Sequence, residues 1–204
     1  MNLGMAVSKA IYCDGCGQEA SGEHLRQRNS RLEWASRFRP VRINTLILAP
    51  EPPLEIEDFF YFPEGWPKDP QARALQEVLL ESCGITLSGA SGRESALRDF
   101  QQKGFFCADC VECPSGVSGD EEFDPLARRM LPTLERRIRY SYRPKSILLI
   151  SGRLSGIARA LSEAKLEARL LMLSEGPVLL PKLTESAGKA KFRADVGSLL
   201  CGEA

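Results

Sequence analysis

The chain has 204 residues, 43% of them apolar and 26% charged, with 27 basic and 27 acidic side chains in balance. That fits one folded domain whose core needs no disulfide staples, and the zero net charge excludes a uniformly basic nucleic-acid binder. No apolar run reaches the roughly 18 residues of a membrane span, and the N-terminus lacks the basic-then-apolar pattern of a secretory signal, so a cytoplasmic protein whose seven cysteines serve something other than disulfides is expected.

Charge is unevenly spread along the chain. Residues 1–124 hold 12 Lys/Arg against 20 Asp/Glu, and residues 125–204 hold 15 against 7. Near the start, Cys13-x-x-Cys16-Gly is a turn that aims two thiolates at one point, a common half-site for zinc or an iron–sulfur cluster. His24, the only histidine, is close enough to supply a further ligand. Arg26, Arg28, Arg31, Arg37, Arg39 and Arg42 follow, with Trp34 and Phe38 among them. This basic segment reads either as a solvated arm or as a contact for phosphate.

Ile43–Leu48 is a near-continuous run of β-branched and aliphatic residues, the signature of a strand buried on both faces. It runs into Ala49-Pro50-Glu51-Pro52-Pro53, a stiff loop at the carboxyl end of a parallel strand. Open α/β sheets place their ligand crevice there. Glu55, Glu57, Asp58 and the run Phe59-Phe60-Tyr61-Phe62 come next. Aromatics in such a place either line a pocket or cap a core.

Helical spacing of apolar residues predicts helices over Gln71–Cys83 and Glu94–Lys103, separated by a Ser/Gly linker at 88–92. Phe105 opens a second strand whose exit loop carries Cys110 and Cys113-Pro114, followed by a flexible acidic loop at 115–124. An arginine-rich amphipathic helix is expected over Pro125–Tyr140, bent at Pro132. Ser146–Ile150 is a third buried strand, turning through Ser151-Gly152-Arg153 into a helix at Leu154–Lys165. Val178–Pro181 reads as a short fourth strand and Ser186–Leu200 as the last helix. The alternation predicts a single α/β domain over 1–204: a three-layer sandwich around a central four-stranded parallel sheet, with residues 1–40 as a metal-stapled N-terminal arm.

In this order the segments resemble the uracil-DNA glycosylase superfamily, chiefly its iron–sulfur-containing bacterial and archaeal branch. LILAPEPP resembles the family's first motif, a strand running into Gly-Glu-x-Pro-Gly, and KGFFCADCVECP resembles its second strand. LPTLERRIRYSYRPKSILLISGRLSGIARAL is similar to the family's helix–strand–helix, and LLPKLTESAGKAKF falls where it carries His-Pro-Ser and a DNA-intercalating loop. The resemblance implies a DNA-repair hydrolase in which the first motif activates water, an aromatic ring stacks on a flipped base, and a histidine stabilises the departing uracil anion.

The departures are specific. Pro50 stands at the acid of the first motif, and the carboxylate moves to Glu51. Leu-Pro-Lys-Leu-Thr replaces His-Pro-Ser. Cys13, Cys16 and Cys113 match three of the cluster cysteines, while the fourth is replaced at about Met130. With His24 as the fourth ligand the set suits zinc more than an iron–sulfur cluster, and Cys110 competes for that position. The resemblance thus implies a catalytic Glu51, substrate contacts from Phe60, Phe62, Ser151 and Lys182, and DNA binding through the basic C-terminal half. The changed motifs leave two readings: a glycosylase-like enzyme acting on damaged bases, or a metal-stabilised binding module without the chemistry.

Overall fold

Two runs of residues too apolar to face water set the centre of the molecule. Leu46, Ile47 and Leu48 in β1 (Thr45–Ala49) and Ile147, Leu148 and Leu149 in β3 (Ser146–Leu149) are all fully buried. They lie side by side in a four-stranded sheet ordered β2-β1-β3-β4, where β2 is Phe105–Asp109 and β4 is Arg169–Leu171. All pairings are parallel, with Leu46 opposite both Phe106 and Ile147. The computed structural model describes residues 10–87, 92–117 and 119–201, with six α-helices in these stretches: α1 (Gly22–Arg37), α2 (Pro70–Ser82), α3 (Arg93–Gln102), α4 (Asp120–Arg136), α5 (Ser155–Glu163) and α6 (Ser186–Cys201). The helices α2, α3 and α6 pack together, as do α4 and α5, and the layers form a three-layer α/β sandwich. None of the described helices is long and apolar enough to cross a membrane.

Four expectations change. The basic segment is helical: α1 occupies most of it, started by Ser21, whose hydroxyl accepts from the His24 amide at 3.1 Å. The fourth strand is β4, paired with β3, whereas Val178 makes only an isolated parallel bridge to Ile150. The acidic stretch expected as loop supplies the first turn of α4, where Asp120, Glu121 and Glu122 suit the positive end of the helix. That helix continues as a π-helical turn, Arg137–Tyr142, stopped by Arg143 in a left-handed conformation (φ 46°) before Pro144. The Ser/Gly linker lies largely outside the described residues.

The aromatic run after β1 is a core cap. Tyr61, 1% exposed, is stacked between Phe38, just past the end of α1, and Phe106 of β2, with ring centroids 5.9 and 5.8 Å away. Its hydroxyl accepts the Cys107 amide at 2.8 Å, satisfying a donor on an edge strand. Tyr61→Phe therefore leaves a buried amide without its acceptor and should cost about 1–3 kcal/mol. A lowered denaturant midpoint at unchanged slope would read this out; an unchanged midpoint would mean that the amide finds another partner.

Candidate metal centre

Three separate pieces of chain converge beside the end of β2. The first is a tight turn in which the Gly17 amide donates to the Cys13 carbonyl at 2.7 Å and the Cys13 amide to Gln18 at 2.8 Å. Gly17 takes φ +72°, a conformation that glycine adopts without penalty. This folding aims Cys13 and Cys16 the same way. The second piece is the first turn of α1, which presents His24. The third is the loop after β2, which brings in Cys113 and is tied to the turn by a 2.9 Å hydrogen bond from the Glu112 amide to Gly15.

The ligand atoms of Cys13, Cys16, His24 and Cys113 all lie within 4.8 Å of one another. Cys13 Sγ and Cys113 Sγ are 3.8 Å apart, and Cys16 Sγ and His24 Nε2 are 3.4 Å apart. The three sulfurs are buried and His24 is half-buried. Hydrogen bonding from Cys113 holds the Cys16 thiol down to about 5 and pushes Cys113 well up. A lowered thiol loses its proton more readily to give thiolate, the form that binds metals. The group could hold a metal ion, and His24 rather than Cys110 completes it. Cys110 stands outside the group, its thiol pushed up to about 12 by burial.

A buried ion network braces the loop. Glu112 pairs with Arg28 of α1 and, at 3.0 Å, with Arg137 of the π-helical turn; all three side chains are less than one-fifth exposed. Arg137 also donates to the Asp109 and Cys110 carbonyls at 3.1 and 2.7 Å. None of these partners was visible in the sequence pattern.

The residues expected to line a substrate crevice divide. Glu51 and Ser151 both lie at the carboxyl end of the sheet, each bonded to Arg153. Glu51 accepts from the Ser115 amide at 2.6 Å and from Arg153 at 2.8 Å, while Ser151 caps the next turn by accepting from the Arg153 amide at 3.2 Å. The Arg153 guanidinium lies 4.1 Å from the Phe123 ring centroid and donates to the Val117 carbonyl, so the protein's own groups occupy this position. Phe60 packs on Tyr61 and Phe100, and Phe62 lies edge-on to Trp34, so both belong to the core cap rather than to that crevice. Lys182 is exposed beside Glu185. The other C-terminal cations are likewise paired: Lys189 with Glu77, Lys191 with Asp195 and Arg193 with Glu81.

Comparison with family models, curated proteins and solved structures returned no match. The chemistry therefore rests on this chain's own residues. If the four-residue group holds a metal, Cys113→Ser should remove it and destabilise the protein by roughly 4 kcal/mol or more, since loss of a bound metal is among the largest single-site effects. Elemental analysis and thermal melts with and without chelator would measure both. Cys110→Ser should leave the metal content unchanged. A wild-type protein without metal, or a Cys113→Ser protein that keeps it, would remove the assignment.

Proposed function

We propose that this chain is a zinc-stapled, uracil-DNA glycosylase-like α/β protein that binds nucleic acid without excising bases. The observation that carries the negative half is the state of Glu51. A carboxylate that is to activate water must reach that water, and this one is held by Arg153 and the Ser115 amide. The histidine that the resemblance expects to offset charge on a departing base is replaced by the Leu-Pro-Lys stretch. One preorganised donor of that kind is worth about 2.7–4 kcal/mol.

The donor set supports zinc. Zn–S bonds of about 2.3 Å and Zn–N bonds of about 2.0–2.1 Å in a tetrahedron require S···S separations of about 3.8 Å and S···N separations of about 3.6 Å. Two of the six pairs, at 3.8 and 3.4 Å, are close to those edges, and all six stay within 4.8 Å. A four-iron cluster binds its ligands through separate irons and needs them farther apart. The resident ion would be structural: all four positions are protein ligands, leaving no open site for water. The six described cysteines are unbridged, which supports a reducing, cytoplasmic setting.

The surface that best suits nucleic acid lies away from the expected C-terminal cations, at the amino end of the sheet. A groove of about 660 Å³ there is lined by Arg139, Arg143 and Lys145 against one acid, Glu167, and by Tyr140, which is 78% exposed. Arg143 and Lys145 make no ion pair among the described residues. Cations flanking an exposed aromatic ring suit the phosphates and bases of a single strand. A fluorescent oligothymidylate should bind at low salt with log K falling by about 0.7 per phosphate contact for each tenfold rise in salt. Tyr140→Ala with Arg143→Ala should weaken it, and a uracil-containing strand should be bound without release of uracil. No binding at low salt would sink the first half of the proposal, and uracil release abolished by Glu51→Gln the second.

A further inference from the structure

A separate cavity of about 180 Å³ lies between α1 and the edge strand β2, closed at one end by the π-helical turn. Its most telling wall is Arg31, a guanidinium only 3% exposed. One of its nitrogens donates to the Pro53 and Leu54 carbonyls, each at 3.3 Å. Its Nε is buried and meets no acceptor, and no carboxylate forms an ion pair with Arg31 among the described residues. Arg137, opposite, has both terminal nitrogens engaged, yet its Nε is equally buried and unpartnered. Two buried guanidinium groups, each keeping an unpartnered Nε–H, are costly, and both side chains belong to the wall of this cavity.

The surrounding charge favours an anion. Arg31, Arg39 and Arg137 line the cavity against Asp109 and Glu112. Glu112 is already matched by Arg28 and Arg137. The Asp109 carboxyl accepts no hydrogen bond among the described residues, and burial pushes it up to about 7 against the attraction of Arg137 and Arg31. The remaining walls are apolar: Phe59, Phe106, Tyr142 and the small face of Ala35. The volume is below the roughly 300–1,000 Å³ of drug-sized sites, and on the order of six waters, or one substituted ring, would fill it.

We infer that this cavity binds a small organic carboxylate with a flat apolar body, its anionic end toward Arg31 and Arg137 and its body among the aromatic side chains. The inference uses none of the residues that carry the proposed nucleic-acid surface, so the two stand or fall separately.

Benzoate is the probe, titrated into the full metal-loaded chain by calorimetry and followed by thermal melts. Benzoate should bind saturably and raise the melting temperature, because a ligand that binds only the folded state stabilises it. Benzylamine, of the same shape and opposite charge, should not. Arg31→Gln should weaken benzoate by about tenfold or more, the scale of one charge-assisted hydrogen bond. Since that variant removes a buried charge and its own fold can suffer, Ala35→Leu supplies the second test: it fills the cavity and keeps every charge, and should abolish binding. Absence of saturation at tens of millimolar benzoate would overturn the inference and assign the cavity to water. Equal binding of benzylamine, inorganic phosphate binding as tightly as benzoate, or an Ala35→Leu variant that binds as well as wild type would overturn it too.

Discussion

Three thiols and an imidazole converging within 4.8 Å are the constraint on which the amino-terminal third of the molecule depends. Cys13 and Cys113 are 100 positions apart, and each belongs to a segment with little regular structure of its own. Thiols alone hydrogen-bond weakly and would not hold such segments together. A zinc ion, as proposed, would replace those weak contacts with four metal–ligand bonds. The effect reaches beyond the ligands because Glu112, next to Cys113, gathers Arg28 and Arg137. Arg137 in turn caps the Asp109 and Cys110 carbonyls where β2 ends. With Tyr61 taking the Cys107 amide and Arg137 the Asp109 carbonyl, side chains meet two backbone groups of β2 and make its edge a poorer template for another strand.

The same bracing separates two places that a ligand could occupy. At the carboxyl ends of β1 and β3, where parallel sheets usually receive their ligands, the Glu51–Arg153 pair, Phe123 and the Val117 carbonyl already fill the space. Breaking one partner of a mostly buried pair strands the other, so this arrangement resists opening. Beside the outer edge of β2, Arg31 and Arg137 retain buried Nε–H groups without acceptors, as Arg153 does at the first place. Both places therefore keep an arginine with a buried N–H to spare; they differ in that Arg153 is ion-paired with Glu51, whereas Arg31 forms no ion pair among the described residues. The proposal of a binding protein rather than an excising one rests on Glu51 being held by Arg153 and the Ser115 amide.

The sheet was largely legible because its central strands leave no polar face: the runs at Ile43–Leu48 and Ser146–Ile150 admit few other readings. The ligand group was legible from residue chemistry, since a Cys-x-x-Cys turn, a single histidine and a Cys-Pro at a strand exit have few competing uses. What failed did so for physical reasons. Arginines dominate α1, so its apolar face is too sparse to announce a helix, and only Arg31 is fully buried there. The strand β4 has three residues, with Arg169 exposed and only Leu171 buried, too short for any periodicity. Phe60 and Phe62 suit a pocket and a core cap equally, and only tertiary contacts decide. Arg31, Arg137 and Glu112 owe their roles to partners distant in sequence, and local pattern carries no trace of these.

The most direct test of the central claim is X-ray absorption at the zinc edge of the purified, reduced protein. The account predicts one zinc per chain with three sulfur neighbours at about 2.3 Å and one nitrogen at about 2.0–2.1 Å, without a bound water. Iron accompanied by inorganic sulfide, or a zinc shell lacking the nitrogen, would contradict it.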